Sequence, residues 1–209
     1  MYIVIEGQDG TGKSTQVRKL AEFFEKQKMK VVFMDEPDGD LPQAHELHDL
    51  ILVKGKKYNL EPMTNVLLFT AARMELWRKI AEPVLKEGGV VISARNWWST
   101  LAYQGYGEGI SRSKIIRLTK GLLPEKYVNP DFSAILVTSD KVRMSRQKGR
   151  GKKTETFEAK PSIFQRKVNA AYPKIAKEFG IPLVDASGSI EDVYNMLMKL
   201  FDFETEFKK

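Results

Sequence analysis

The chain of 209 residues contains no cysteine, which excludes disulfide bonds and cysteine nucleophiles and fits a reducing compartment. It lacks any apolar run long enough to cross a membrane. No basic stretch followed by an apolar one precedes the first predicted strand, so we expect no signal peptide. These absences favour a cytoplasmic protein with no membrane partner. Hydrophobic residues (42%) and charged residues (29%) stand in the proportions of a folded domain, which excludes a disordered chain.

The charge balance is basic, with 34 Lys and Arg against 27 Asp and Glu, a formal net charge of +7. Such a balance suits an anionic partner, either nucleotide phosphates or nucleic acid, and charge alone does not choose between them. Many of the basic side chains crowd into one short segment around Gly149 and Gly151: Lys141, Arg143, Arg146, Lys148, Arg150, Lys152 and Lys153.

The segment from Gly7 to Ser14 fits the pattern G-x-x-x-x-G-K-[ST]. It follows the apolar run from Tyr2 to Ile5 and opens an amphipathic segment that extends to Gln27, and this strand–loop–helix context indicates a phosphate-binding loop rather than an ordinary glycine-rich turn. Its backbone amides would surround phosphate oxygens at a helix N-terminus. The predicted ATP-binding residues are Gly7, Gln8, Asp9, Gly10, Thr11, Gly12, Lys13, Ser14 and Thr15, with Lys13 reaching the β- and γ-phosphates and Ser14 helping to hold Mg²⁺.

Short apolar runs alternate with helical patterns along the chain, which predicts an α/β fold. The expected strands are residues 2–5, 30–34, 89–93, 134–137 and 181–184, and the longest helical patterns are residues 14–27, 61–86 and 157–178. Together with the phosphate-binding loop, they predict a P-loop NTPase fold, a three-layer α/β/α sandwich around a five-stranded parallel sheet with a helical lid. Ligands of such folds bind at the carboxyl ends of the strands.

Two absences narrow the class of P-loop protein. The sequence has no N-K-x-D element of the kind that guanine-nucleotide switches use. The strand that ends Ile92-Ser93-Ala94-Arg95 is not followed by the acidic residue that motors use to hold Mg²⁺. A basic, glycine-containing segment after the fourth strand instead favours a nucleoside monophosphate kinase, in which a lid closes over two bound nucleotides and excludes water.

Three further blocks accompany the segment from Ile5 to Gln16. They are Glu36-Pro37, Leu68-Phe69-Thr70-Ala71-Ala72-Arg73, and Arg95 with Ser99-Thr100-Leu101-Ala102-Tyr103-Gln104-Gly105. Together these segments resemble the thymidylate kinases, and they fall in that family's order and spacing over nearly the whole chain. The resemblance implies a single domain over residues 1–209 with a lid near residues 143–157. It also implies phosphorylation of dTMP to dTDP with Mg-ATP in dTTP biosynthesis, and a homodimer.

The resemblance also implies roles for acceptor-binding residues. Phe69 would stack on thymine and Arg73 would hydrogen-bond one of its carbonyls; four residues apart on a helix, they share one face. Arg95 would hold the acceptor phosphate with its planar charged fork. Asp9 would meet the sugar 3′-hydroxyl and lie near Mg²⁺, Ser99 and Gln104 would contact the base, and Tyr103 would crowd the 2′ position. Glu36 completes the predicted acceptor site.

The lid would supply charge to the moving phosphoryl group, because phosphoryl transfer depends mainly on positioning and charge neutralisation. Some family members carry an arginine inside the P-loop, where this chain has Gly10. Arg143, Arg146 and Arg150 are the candidates to replace it, and Arg150 is favoured since glycines flank it. The predicted catalytic residues are therefore Lys13, Arg95, Arg146 and Arg150. The alternative interpretation of the basic segment is a charged loop that is merely exposed to solvent.

The chain departs from the family pattern at three positions: Ala94 replaces an aspartate, Asp35 replaces an arginine, and Thr156 replaces a lid arginine. All three changes fall on the phosphate-handling side. Two alternatives therefore stay open, a kinase for another deoxynucleoside monophosphate and a catalytically weakened nucleotide-binding protein. Nucleic-acid binding is the less favoured use of the positive charge.

Overall fold

The structure is a computed structural model that describes residues 1–37, 41–148, 157 and 160–207. Its centre is a five-stranded sheet in the order β2-β3-β1-β4-β5, and every neighbouring pair of strands is parallel. The strands are β1 Tyr2–Gly7, β2 Val31–Asp35, β3 Val90–Ala94, β4 Phe132–Val137 and β5 Leu183–Asp185.

Helices connect these strands, and several continue into π-helical segments. The helices are α1 Lys13–Lys26, α2 Pro42–His48, α3 Gly55–Tyr58, α4 Pro62–Leu76, α5 Glu82–Lys86, α6 Trp97–Thr100, α7 Arg112–Leu122, α8 Glu125–Val128, α9 Asp140–Lys148, α10 Ser162–Phe179 and α11 Ile190–Phe207. The π-helical segments are Asp49–Val53, Trp77–Ala81 and Leu101–Gly107.

Strand β1 shows why the sheet is covered on both faces. Its side chains alternate between two separate hydrophobic clusters, because successive residues of a strand point to opposite sides. Tyr2 and Val4 join one cluster, whereas Ile3 and Ile5 join the other, and all four are fully buried. Helices pack against each cluster, so the predicted three-layer arrangement with a five-stranded parallel sheet is confirmed.

The predicted helix over residues 61–86 is interrupted by a change of helix type. Helix α4 passes into the π-helical segment Trp77–Ala81 and then into α5. Pro83 lies at the first turn of α5, where its missing N–H is tolerated, directly after the wider π-helical turn. The helix predicted to begin at Phe157 begins instead at Ser162, directly after Pro161, a residue that opens helices well and does not extend them backwards.

The segment after β3 was not predicted to be helical. Trp97 and Trp98 open α6 and are both buried, with exposed fractions of 1% and 4%. Both rings lie near Phe179. Both side chains belong to the hydrophobic core. Among the helices that the structure describes, none has the length and apolar character needed to span a membrane.

Candidate active site

The P-loop connects β1 to α1 at the carboxyl edge of the sheet, next to β3 and β4. Gly12 takes a left-handed backbone (φ 97°) and caps α1, and its carbonyl accepts hydrogen bonds from the amides of Thr15 and Gln16. The first amides of a helix have no carbonyl partner within it, which is the arrangement that binds anions.

Gly10 explains why this P-loop carries no arginine. Its φ is +88°, and a Cβ atom there would lie 2.7 Å from both the carbonyl oxygen and the Cγ atom of Arg143 in α9. Any side chain would therefore force α9 away from the loop. Arg143 of the predicted lid segment therefore lies directly against Gly10, the position where some family members carry an arginine.

Lys13 is almost fully buried, with 6% of its surface exposed. Its Nζ donates to the carbonyl oxygen of Gln8 at 3.1 Å and lies 3.9 Å from Oδ1 of Asp9. Burial, with the positive charge of Arg95 acting in the same direction, lowers the pKa of Lys13 to about 8. An anion bound beside this amine would favour its protonated, charged form.

We expect ATP binding at pH 8 to take up about half a proton, because phosphate oxygens would favour the charged form of a lysine that is half neutral at that pH. Titration calorimetry in two buffers with different ionisation enthalpies measures this uptake. The affinity should also fall as the pH rises above 8. The Lys13→Arg variant is the control, since a guanidinium stays charged. Equal heats in both buffers for the unsubstituted protein would contradict the assignment.

Asp9, Arg95 and Tyr103 form one ionic cluster beside the P-loop. The Arg95 guanidinium donates to Oδ1 of Asp9, to the Gly7 carbonyl oxygen at 3.2 Å and to Oγ of Ser99 at 3.1 Å. The hydroxyl of Tyr103 donates to the other Asp9 oxygen at 2.7 Å. Residues predicted from separate sequence blocks are thus brought together, and the cluster joins β3 to the P-loop.

Arg95 has a left-handed backbone with φ +85°, which is uncommon for a residue with a side chain. Such backbone strain persists where the surroundings enforce it, often at functional sites. Burial raises the pKa of Tyr103 well above its ordinary value, and Asp9 adds to that effect, so the phenol stays a proton donor to the carboxylate. The geometry therefore fixes the guanidinium next to Lys13 and the loop.

Glu6 holds the turn that carries Arg95. Its fully buried carboxylate accepts hydrogen bonds from the amide of Asn96 at 2.8 Å, from the amide of Ser99 at 3.0 Å and from the Ser99 hydroxyl at 2.9 Å. Sequence reasoning gave Glu6 no role. The available signal was an acid at the end of a wholly apolar central strand, where an unpaired carboxylate would be costly.

Arg73 and Phe69 lie side by side on α4, as their spacing predicted, with the guanidinium carbon 5.6 Å from the ring centroid. The Arg73 nitrogens donate to Oε2 of Glu36 at 2.8 Å, to Oγ1 of Thr100 at 2.7 Å and to the Asn96 carbonyl at 3.1 Å. A guanidinium has five N–H donors, so donors remain beyond these bonds.

Glu36 is buried beneath Arg73 and also accepts a hydrogen bond from the Tyr127 hydroxyl at 2.7 Å. Burial raises the pKa of Glu36 to about 7, although Arg73 acts in the opposite direction. Its contacts are with protein groups that fix the orientation of Arg73.

The ring of Phe69 borders an aromatic group with Phe157, Tyr103 and Phe164. Phe157 lies 6.0 Å from Phe69 and 5.9 Å from Tyr103, measured between ring centroids. Gln104 lies nearby in the chain and is 1% exposed, and its side-chain Nε2 has no hydrogen-bond partner within the described part of the chain. A buried unpaired donor of this kind suits a ligand carbonyl.

A chain of amide hydrogen bonds links the P-loop to Phe157. The Nε2 atom of Gln8 donates to Oε1 of Gln165 at 2.9 Å, and the Nε2 atom of Gln165 donates to the Phe157 carbonyl at 2.6 Å. Gln8 was predicted as a P-loop residue, whereas Gln165 in α10 was not predicted at all. These hydrogen bonds therefore connect the P-loop to the aromatic group that contains Phe157 and Phe69.

The three candidate lid arginines differ in where they lie. Arg143 is buried, with its guanidinium on Oδ1 of Asp140 and Oε1 of Gln147. Arg146 reaches the carbonyl oxygens of Thr11 at 3.5 Å and Gly188 at 3.4 Å, beside the P-loop. Arg150 and Thr156 lie outside the described residues.

The residues beside the P-loop fit Mg²⁺, which takes one or two protein oxygens and completes its shell with phosphates and water. Asp9 offers a partly exposed carboxylate and Ser14 a hydroxyl at the start of α1. Within the ranges that the structure describes, no group of three histidine or acidic side chains surrounds the P-loop. A cation there would accordingly depend on the nucleotide for its remaining ligands.

The sequence model of the family described as thymidylate kinase matches residues 5–197. The chain belongs to the thymidylate kinase family. It is therefore an ATP-dependent nucleoside monophosphate kinase, as its motifs predicted. A probable thymidylate kinase of Thermococcus onnurineus is 38% identical over 98% of each chain. A thymidylate kinase of Caldicellulosiruptor saccharolyticus is 32% identical over 96% of this chain and 95% of its own.

The fold comparison agrees with the family's sequence model. The crystal structure of thymidylate kinase from Ehrlichia chaffeensis matches with a TM-score of 0.75 and 28% identity, covering 97% of this chain and 98% of its own. This match extends over the sheet and the helices on both of its faces, and so confirms the predicted P-loop NTPase fold of this thymidylate kinase family member.

Proposed function

We propose that this protein transfers the γ-phosphoryl group of Mg-ATP to dTMP, giving dTDP for dTTP biosynthesis. The observation that carries the proposal is the Asp9–Arg95–Tyr103 cluster, which joins the P-loop to the π-helical segment Leu101–Gly107. From there the rings of Tyr103 and Phe157 lead to Phe69. A donor nucleotide and an acceptor nucleotide would thus meet at Asp9. The names of the relatives support dTMP as the acceptor.

On the donor side, residues 7–15 would bind the phosphates of ATP, and the Lys13 amine would place charge on the γ-phosphate. Ser14 and Asp9 would hold Mg²⁺. When bound, the ion neutralises charge on the phosphate oxygens during transfer. Lys13 needs no movement of the backbone for this role, because α1 and the loop already fix its position.

On the acceptor side, Phe69 would stack on thymine and Arg73 would donate to a thymine carbonyl, with Glu36 holding the guanidinium in place. Gln104 would supply its buried amide to the base, next to Ser99. Tyr103 would close the 2′ position of the sugar and favour deoxyribose. Arg95 would hold the acceptor phosphate, and Asp9 would accept a hydrogen bond from the 3′-hydroxyl.

Charge from the lid would complete the transfer site. We assign this task to Arg146 and Arg150, because Arg143 is buried and committed to Asp140 and Gln147. The proposal includes a single catalytic domain over residues 1–209 with a lid near residues 143–157. It also includes a homodimer, a cytoplasmic location and no nucleic-acid partner.

We expect Phe69→Ala to raise KM for dTMP about tenfold or more with a small change in kcat, because stacking on the base is equally available before and during phosphoryl transfer. Steady-state kinetics at saturating Mg-ATP measure both constants. Phe23→Ala is the matched control, since it removes the same ring from α1, away from this site. A loss confined to kcat would contradict the stacking role.

A further inference from the structure

The chain has two histidines, His45 and His48, and both lie on one face of α2 with Asp49 immediately after them. Residues spaced i, i+3 and i+4 along a helix are neighbours on its surface. The two imidazole rings are nearly parallel, with centroids 6.0 Å apart and planes 10° apart. One ligand atom from each of the three side chains lies within 4.8 Å of the other two.

His48 and Asp49 make the closest approach in this group. Nδ1 of His48 stands 3.5 Å from Oδ1 of Asp49. That nitrogen is buried and makes no hydrogen bond within the part of the chain that the structure describes. An imidazole nitrogen and a carboxylate oxygen at this separation can both donate lone pairs to one cation between them.

The separation of these two atoms suits a metal ion. Zn²⁺ binds imidazole nitrogen and carboxylate oxygen at about 2.0–2.2 Å, so two ligands of a tetrahedral ion stand about 3.4 Å apart. The distance of 3.5 Å between Nδ1 and Oδ1 is close to this edge. The ligand atom of His45 lies within 4.8 Å of the other two. An adjustment of up to about 1.4 Å, by rotation about the side-chain bonds of His45, would bring it to the tetrahedral edge.

We propose that His45, His48 and Asp49 bind a divalent transition-metal ion such as Zn²⁺. Imidazole with one carboxylate favours zinc, copper and nickel, whereas Mg²⁺ prefers oxygen ligands alone. The site is therefore distinct from the Mg²⁺ that accompanies ATP at Ser14 and Asp9. Water would fill the remaining position, since the side chain of Asp49 and the residue His45 are open to solvent.

The ion would connect two differently wound parts of the chain. His45 and His48 belong to α2, and Asp49 opens the π-helical segment Asp49–Val53. Ala44 and Ile51 anchor these parts in the core. Because the ligands come together only in the folded chain, a bound ion stabilises the native state and raises Tm.

The test is calorimetric titration of the chelator-treated full-length protein with Zn²⁺, paired with thermal unfolding. We expect one saturable ion per chain, a higher Tm with Zn²⁺, and no displacement by millimolar Mg²⁺. The double variant H45Q/H48Q should lose at least about tenfold in affinity and lose the rise in Tm, and Asp49→Asn should weaken binding by a smaller factor.

Co²⁺ gives an independent readout, because tetrahedral imidazole ligation produces visible absorption bands that the double variant should lack. Unchanged circular dichroism and kinase activity of that variant would show that folding is intact. Two results would overturn the proposal: no saturable Zn²⁺ binding by the unsubstituted protein, or equal Zn²⁺ affinity of the unsubstituted protein and H45Q/H48Q.

Discussion

Replacing Arg95 by alanine is expected to lower kcat/KM for dTMP at least about a hundredfold, a loss of about 3 kcal/mol or more of transition-state stabilisation. The Arg95 guanidinium is held by hydrogen bonds to Asp9, Gly7 and Ser99. The backbone of Arg95 is in the uncommon left-handed region. A preorganised charge of this kind costs nothing to orient when the acceptor phosphate develops charge. Its removal also takes away one ionic partner of the Asp9 carboxylate.

Arg95→Lys distinguishes charge from shape. A lysine keeps the positive charge but cannot make the forked contacts of a guanidinium, so we expect it to recover only a small part of the lost activity. Arg18→Ala serves as the control, because it removes an exposed arginine of α1 that is not part of the cluster. Near-normal kcat/KM for Arg95→Ala would mean that another residue holds the acceptor phosphate.

The second large effect is expected from Lys13→Met, which keeps the length of the side chain and removes its charge. We expect kcat to fall about a hundredfold to a thousandfold, because the substitution removes the buried amine that contacts the P-loop at the Gln8 carbonyl. Initial rates at saturating dTMP and Mg-ATP measure the loss. Lys26→Ala, at the exposed end of α1, is the control.

The same substitution should stabilise the protein in the absence of nucleotide. Burial lowers the folded-state pKa of Lys13 to about 8 from 10.5, so the charged amine destabilises the fold below pH 8 and the cost disappears as the pH rises from 8 to 10.5. Lys13→Met should therefore raise the free energy of unfolding at pH 7 by about 1–3 kcal/mol. Denaturant unfolding at pH 7 and pH 10.5 checks the sign, and a less stable variant at pH 7 would contradict it.

The P-loop could be predicted from sequence because its chemistry lies in consecutive residues. Gly7 to Ser14 form a continuous pattern, and the alternating strands and helices around it follow from local periodicity. The proximity of Phe69 to Arg73 was predictable for the same reason, since a helix brings residues four apart together.

The supporting contacts could not be predicted from local patterns because they join distant parts of the chain. Gln8 bonds to Gln165 across 157 residues, and Glu6 bonds to Asn96 across 90. The clash at Gly10 with Arg143 is equally invisible in a single sequence. The left-handed backbone of Arg95 depends on these contacts, so its strain appears only in the folded structure.

The structure shows what surrounds Ala94, one of the three departures from the family pattern. Ala94 is fully buried at the end of β3, and the turn that follows it is held by the Glu6 carboxylate. Arg95 obtains its ionic partner from Asp9 in the P-loop. These contacts support an active kinase over a weakened nucleotide-binding protein.

The most direct test is the rate of phosphorylation of a panel of nucleoside monophosphates with Mg-ATP. The panel contains dTMP, dCMP, dGMP, dAMP and UMP, and kcat/KM is measured for each with the purified protein. We expect dTMP to be phosphorylated far better than the other four. A higher kcat/KM for another monophosphate would contradict the assignment of dTMP, and binding of ATP and dTMP without any product would contradict the proposed transfer itself.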